Sequence, residues 1–314
     1  MRVLVRVVQI FIITFLILIG MFGNGFIATF YCLHWVKSRK LSSCDMILTC
    51  LVISRILLLG ISATSFFISA FAPGTSNLKE VWITIDFLWL FGNTVVLWFT
   101  ACLSIFYCVK ITNCNQPLFL QMRQRISAKV PKMLLGSLLV SFVSSVPHIW
   151  GDYNFTVADT SWDVSSFYFF FVYSAASFTP FIIFLSSSIL LISSLWRHTR
   201  NMRHNATSFW DPSTEAHERA IKVMISCLVL CVCSFVAQAM LTLPSSLTDR
   251  TWISEITSMV VFVCPSGHSL ILILISPKLK QAMVRTLHSI TCHCRKQQVR
   301  GKHGFVQSKN NLME

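Results

Sequence analysis

Trp89 and Asn93 stand one helical turn apart in an apolar run, Asp86 to Lys110, that reads DFLWLFGNTVVLWFTACLSIFYCVK. Placed on a helix, Asp86, Trp89, Asn93, Val96, Thr100, Leu103 and Tyr107 fall on or near one stripe. A helix facing only hydrocarbon has no use for Asp, Asn, Thr and Tyr on a common face. Each such group must be satisfied by a neighbouring helix or a water-filled cavity. The spacing predicts a helix at the centre of a bundle, its outer half lining a cavity. Trp89 and Asn93 are the pair expected to meet a ligand there, with Asp86 beside them. The competing reading is an interhelical hydrogen bond from Asn93 and plain packing of Trp89.

Three further residues carry charge or a titratable ring inside apolar runs. Arg55, in Ile53-Ser54-Arg55, lies about ten residues from one end of its run, near mid-membrane at roughly 1.5 Å per residue. A buried Arg at that depth calls for hydrogen-bond partners, and Asn24, Ser54 and carbonyls of the last run are the candidates. Its expected role is structural or switching. Glu255, near the outer end of the last run, is a further candidate ligand contact. His268 follows in Cys264-Pro265-Ser266-Gly267-His268-Ser269 with no second His, Asp or thiol at usable spacing, which points to packing or a hinge. Paired carboxylates, a His cluster and a nucleophile with its base are not visible in the sequence. The reading is no enzyme, no catalytic residue, no metal and no cofactor.

The elements that position these residues follow from composition. Of 314 residues, 54% are hydrophobic, 12% are charged and 26 are Phe, whereas ordinary globular domains carry roughly 25% charged residues. The chain is read as an integral membrane protein, an all-α bundle of seven transmembrane helices. The spans are roughly Val8–Leu33, Met46–Phe71, Val81–Val109, Val130–Trp150, Phe167–Leu195, Ala220–Leu243 and Trp252–Ile275, each about 20 residues or more, as a hydrocarbon core near 30 Å requires. The first is too long for a signal-peptide core and lacks a cleavage pattern, so it is read as retained. The net charge of +14 does not imply nucleic acid, because the basic residues sit in short segments between apolar runs.

Their distribution sets the expected orientation. With the C-terminus in the cytoplasm, inner segments hold 21 of the 26 Lys and Arg, and outer segments hold Arg2, Arg6, Lys79 and Arg250. The positive-inside rule predicts the N-terminus outside and the C-terminus inside. None of the twelve cysteines falls in an outer loop, so no extracellular disulfide is expected. The glycines of Gly23-Asn24-Gly25 permit close helix approach, and Asn24 needs an interhelical partner. The second inner loop is read as Ile111 to Lys129 and the second outer loop as Gly151 to Ser166. In the latter, Asn154-Phe155-Thr156 is an N-glycosylation acceptor, whereas Asn205-Ala206-Thr207 falls on the cytoplasmic side.

Asp211 is a good N-cap and Pro212 fits the first helical position, so a helix is expected to start in the cytoplasm and run into the sixth span as far as Pro244. Glu215–Arg219 and Glu218–Lys222 support it at i,i+4. After Pro277, the apolar face Leu279, Met283, Leu287 and Ile290 opposes Lys278, Gln281, Arg285 and His288, which reads as an amphipathic helix lying on membrane lipids. Cys292 and Cys294 sit where palmitoylation is chemically reasonable. The domain reading is residues 1–291 for the membrane bundle with its juxtamembrane helix, and 292–314 for a polar, disordered cytoplasmic tail.

Several segments together resemble the bitter taste receptors, the type 2 taste receptor family of G-protein-coupled receptors. They are Gly23-Asn24-Gly25-Phe26-Ile27, Ile53-Ser54-Arg55, the Trp89–Asn93 pair, Phe106-Tyr107-Cys108-Val109-Lys110-Ile111 and Ser194-Leu195-Trp196-Arg197-His198-Thr199. More specific are Asp211-Pro212-Ser213-Thr214-Glu215-Ala216-His217 and His268-Ser269-Leu270-Ile271-Leu272-Ile273-Leu274 followed by Pro277-Lys278-Leu279-Lys280-Gln281. The resemblance implies a plasma-membrane receptor for bitter small molecules entering among spans two, three, five, six and seven, with Trp89 and Asn93 at the family's principal contact positions. It implies coupling to a heterotrimeric G protein, gustducin or another of the inhibitory class, and from there to phospholipase C and calcium. Phe106, Tyr107 and Lys110, with His217 and Lys222 near the start of span six, would belong to the coupling face, and Arg55 and His268 to the switch. Asn154 matches the family's glycosylation site. Receptor oligomers are left open.

Two departures stand out: Cys114 where the family usually has an aromatic residue, and Ser276-Pro277 where Gly-Asn is more usual. Neither touches the expected pocket. Another seven-helix chemoreceptor is the nearest alternative. A small-solute transporter would want repeat symmetry and broken helices, and no internal repeat is visible.

Overall fold

In hydrocarbon no water is present to satisfy backbone N–H and C=O groups, so a spanning segment of this composition must close its hydrogen bonds within itself as a helix. The computed structural model describes residues 2–39, 41–71, 79–112, 117–157, 162–205, 212–242, 250–289 and 291, with the side chains of 2–5, 117–119, 148, 150–166, 201–220, 223, 242 and 250–255 excepted. They form α1 (Arg2–Ser38), α2 (Ser43–Phe71), α3 (Lys79–Ile111), α4 (Pro117–Val157), α5 (Trp162–Asn205), α6 (Pro212–Thr242) and α7 (Arg250–Ile275), and a shorter α8 (277–289). All seven of α1 to α7 contain a stretch long and apolar enough to cross a membrane. By contacts the chain divides into two units, Met1–Ile271 and Leu272–Glu314.

Local chemistry explains the helix limits. Ser42 caps α2, its Oγ accepting from the Asp45 N–H at 3.1 Å. Arg39 ends α1 with φ at 53°, its N–H closing onto the Trp35 carbonyl at 2.8 Å. Pro212 opens α6 at the position expected for it, while the cap Asp211 lies outside the described residues. In the second unit Ser276 caps α8, accepting from the Leu279 N–H at 3.4 Å with Pro277 at the first helical position. Hydroxyls inside the spans mostly donate back to the carbonyl four residues earlier, as Thr14, Thr49 and Ser54 do.

The structure departs from the sequence reading around α4. The segment 117–129, read as part of an inner loop, is helical, because Pro117 opens a helix that runs on through Pro131. At the other end α4 continues past Pro147 to Val157, so Asn154 stands on a helix and not in a long loop; its side chain lies outside the described residues. The next helix begins at Trp162.

α3 is the hub. It packs against α2, α4 and α5, and 56% of its most apolar window is buried, against 44% or less for the other six. Hydroxyls and thiols tie it to its neighbours. Ser187 of α5 donates to Ser104 Oγ at 2.9 Å, and Ser104 and Ser188 share a hydrogen bond of 2.8 Å. Cys102 lies 3.5 Å from Ser137 of α4, and Tyr107 Oη lies 3.1 Å from Cys44 of α2. Each such bond is worth only about 0.6 kcal/mol in a bilayer, but together they fix the rotation of α3.

α1 meets α7 through small residues. A Cβ at Gly23 would stand 2.5 Å from Ser269 Oγ and 3.1 Å from Ser269 Cβ, whereas one at Gly25 would meet nothing within 4 Å. The two glycines of the motif therefore differ: the first permits close approach and the second faces open space. Asn24 between them donates to the Gly20 carbonyl at 2.8 Å and the Pro265 carbonyl of α7 at 3.3 Å, and Ser266 donates to the Leu16 carbonyl at 2.8 Å. Gly23→Ala should lower the stability of the purified receptor by about 1–3 kcal/mol through overpacking. Gly25→Ala should be neutral or slightly stabilising, since Ala is the better helix former by roughly 0.5–1 kcal/mol. Thermal unfolding of the two variants in detergent, each against the parent, reads both signs.

Candidate functional site

Five helices enclose one cavity in the first unit. α2 contributes Arg55, Leu58, Leu59 and Ser62, and α3 contributes Trp89, Asn93, Val96, Leu97 and Thr100. Facing them are Phe181 and Phe184 of α5, Cys231, Ser234, Phe235 and Gln238 of α6, and Phe262, Cys264 and Pro265 of α7. The polar stripe expected on α3 thus lines the cavity from Trp89 down to Thr100. The internal space is about 60 Å³ counted over positions open to a water's centre, room for about four waters. Apolar and aromatic walls with a few convergent polar groups are the usual make-up of a small-molecule site.

Aromatic rings form one wall. Trp89 lies 5.8 Å from Tyr173 and 6.4 Å from Phe169, centroid to centroid. Tyr173 in turn lies 6.4 Å from Phe235, and Phe235 stacks on Phe181 at 3.8 Å with 5° between the planes. This array joins α3, α5 and α6 in one continuous set of ring contacts.

Polar groups on the wall are only partly satisfied. Tyr173 donates to Gln238 Oε1 at 3.3 Å, and Gln238 Nε2 donates to Ser234 Oγ at 3.1 Å. Asn93 is 2% exposed and its Nδ2 has no hydrogen-bond partner among the described residues. A buried carboxamide donor without a partner carries a penalty of about 1–3 kcal/mol until something accepts from it. Asn93 therefore presents its amide to the cavity wall, with the Tyr173 hydroxyl of α5 close enough to interact with its side chain.

Arg55 forms part of the same cavity and is 3% exposed. Its guanidinium donates to Nδ1 of His268 on α7. The partners expected from the sequence were Asn24, Ser54 and α7 carbonyls. Instead Asn24 is engaged with Gly20 and Pro265, and Ser54 donates to the Cys50 carbonyl at 2.8 Å. Because Arg has no acceptor, Nδ1 must accept, and the His268 proton resides on Nε2. His268, expected to pack or hinge, is the ring that ties α7 to α2.

The remaining candidates divide by position. Asp86 is half-buried on α3, a turn beyond Trp89, and is not among the residues lining the cavity. At the opposite end of α3, Phe106 is buried, Tyr107 is held by Cys44 and Lys110 is half-buried, while Lys222 of α6 is exposed. The side chains of Glu255 and His217 lie outside the described residues, as do Cys292 and Cys294. Arg55 and His268 are thus separate from the Phe106–Lys110 end. Among the described residues, no group of three His, Cys, Asp or Glu is placed to hold a metal ion. Sequence reasoning missed Gln238, Ser234 and the Phe181–Phe235 stack. Gln238 had a signal, as a lone amide in an apolar run; the stack had none, because its rings come from different helices.

Comparison with known proteins bears on this arrangement. The family model described as Taste receptor protein (TAS2R) matches residues 1–291. Taste receptor type 2 member 8 of Pongo pygmaeus is 36% identical over 299 residues, covering 91% of this chain and 96% of that one. Taste receptor type 2 member 9 of Homo sapiens is 35% identical over 302 residues, covering 93% and 97%. In fold the chain is similar to the crystal structure of squid rhodopsin, with a TM-score of 0.62 at 15% identity over 89% of this chain and 84% of that one.

The Arg55–His268 bond yields a stability test. His268→Ala leaves the buried guanidinium without its ring acceptor and should cost about 1–3 kcal/mol. His268→Gln keeps an acceptor of similar reach and should recover part of the loss. Thermal unfolding midpoints of the three purified proteins check the order parent, Gln, Ala.

Proposed function

The chain belongs to the taste receptor type 2 family, and from that premise we propose that it is a multi-pass plasma-membrane receptor for bitter small molecules, acting through a heterotrimeric G protein and not as an enzyme. The observation that carries this reading is the cavity with Trp89 on its wall and the unpartnered Asn93 amide beside it. An agonist would lay its apolar body against Trp89 and the phenylalanines and accept a hydrogen bond from Asn93 Nδ2. Asp86, and Glu255 at the far end of α7, are proposed as contacts made on entry.

Coupling would follow from what the ligand touches. Filling the cavity presses on the array Trp89–Tyr173–Phe235 and on Pro265, so α6 and α7 shift against α3. The Phe106–Lys110 end of α3, with Lys222 and His217 of α6, is proposed to face gustducin or another inhibitory-class G protein, leading to phospholipase C and calcium. The proposal includes an N-terminus outside and a C-terminus inside, read from the distribution of Lys and Arg, with α8 on the inner leaflet, Cys292 and Cys294 as lipidation positions and Asn154 glycosylated. Receptor oligomers remain part of the proposal only as partners of the same chain.

The test is a calcium response to a panel of bitter compounds in cells supplied with the G protein. Trp89→Ala and Asn93→Ala should raise the effective concentration of agonists by about tenfold or more at unchanged surface level, as loss of one well-placed contact does. Agonists acting equally on both variants, or acting without the G protein, would overturn the proposal. Topology has its own readout. Asn154→Gln should abolish a glycosidase-sensitive mobility shift, and Asn205→Gln should leave it intact.

A further inference from the structure

Arg55 presents a problem that the fold does not solve internally. Counted from Ser43, it lies about 18 Å along α2 at 1.5 Å per residue, near the middle of the bilayer. A guanidinium has five N–H donors and no acceptor. The described residues give it one hydrogen-bond partner, His268 Nδ1, a neutral ring nitrogen that does not cancel the charge. No Asp or Glu is among the described residues that line the cavity with it. Asp86, the nearest acid along α3, sits seven residues beyond Asn93, about 10 Å away along the helix. Three thiols, of Cys227, Cys231 and Cys264, lie within electrostatic reach of the guanidinium and donate or accept only weakly. A buried cation at this depth ordinarily has a counter-charge, and Arg55 is among the residues that line the cavity.

We propose that Arg55 makes the inner part of the cavity an anion site, so that the ligands this receptor takes best are amphiphilic acids. Their anionic head accepts from the guanidinium fork while the apolar body lies against Phe181, Phe235 and Trp89. The inference rests on reading the cavity as the ligand site, and it narrows the ligand class within it. Paired acceptors match the planar Arg fork, so carboxylate, sulfonate and sulfonimide heads fit and an ammonium head is repelled. Asn93 Nδ2, a donor on the same wall, serves a carbonyl or ether further up the ligand. A free inorganic anion shares the chemistry and would compete for the same fork.

The experiment uses the purified full-length receptor in detergent and measures the melting temperature with three probes of one skeleton: phenylacetate, its methyl ester and phenethylamine. Phenylacetate should raise the melting temperature in a saturable manner, and the ester and amine should not. Arg55→Lys should retain the effect weakly, and Arg55→Gln should lower the phenylacetate affinity by about tenfold or more. The parent protein alone carries the comparison if the variants do not fold. Sodium iodide against sodium gluconate distinguishes the source. Competition by iodide identifies a site open to free anions, and its absence identifies one that needs the organic body; both support the site. Equal shifts from acid, ester and amine, no shift from the acid, or an unaltered phenylacetate shift in Arg55→Gln would overturn it. Neutral agonists that act in cells through Trp89 and Asn93 while phenylacetate leaves the melting temperature unchanged would refute the anion site and leave the receptor reading standing. Phenylacetate binding that depends on Arg55 in a protein with no G-protein response would do the reverse.

Discussion

A positive charge buried inside a bundle of membrane-spanning helices constrains the whole arrangement. Arg55 is 3% exposed, and its guanidinium is held by one ring nitrogen of His268 on a helix that follows α2 by some two hundred residues. In water that bond would be worth little. In hydrocarbon the alternative is an unpaired guanidinium, so the bond fixes how α7 sits against α2. α1 then docks on the same helix through Gly23, Asn24 and Ser266, where backbone approach is close enough for side chains to reach carbonyls. Three helices are thereby joined by polar contacts that tolerate little sliding.

α3 performs the corresponding task on the other side. Its buried face meets hydroxyls of α5 at Ser187 and Ser188, a hydroxyl of α4 at Ser137 and a thiol of α2 at Cys44. With the two groups of helices fixed in this way, a space is left between them, walled by α2, α3, α5, α6 and α7. Some of the side chains that tie helices together, Arg55, Gln238 and Phe235 among them, also line that space. α6 is tied to α5 where Gln238 meets Tyr173 and Phe235 meets Phe181 and Tyr173.

Much of this was legible in the residues. Seven spans follow from run length, the start of α6 from Pro212, and the cavity-facing stripe of α3 from the spacing of Trp89, Asn93, Val96 and Thr100. The extent of α4 was not legible, because Arg123, Arg125 and Lys129 read as loop when polarity alone is considered, whereas a water-facing helix carries the same residues equally well. Nor was the partner of Arg55. Asn24 and Ser54 had the right chemistry and the right helices, but Ser54 satisfied itself on its own backbone and Asn24 was taken by Gly20 and Pro265. Which polar side chain meets which is decided by helix rotation, a quantity that local spacing does not contain. For the same reason the sequence showed that the site has an aromatic ring and an amide on α3, but not that Gln238, Ser234 and Phe235 stand opposite.

The central claim is that a small molecule meets Trp89 and Asn93 inside the bundle and is read out through the helices around them. The most direct measurement is the structure of the purified receptor with a bound agonist at side-chain resolution. The account predicts ligand density against the Trp89 ring and within hydrogen-bond distance of Asn93 Nδ2, enclosed by α2, α3, α5, α6 and α7. Ligand density confined to the lipid-facing surface or to the Phe106–Lys110 end of α3, with Trp89 and Asn93 unengaged, would contradict it.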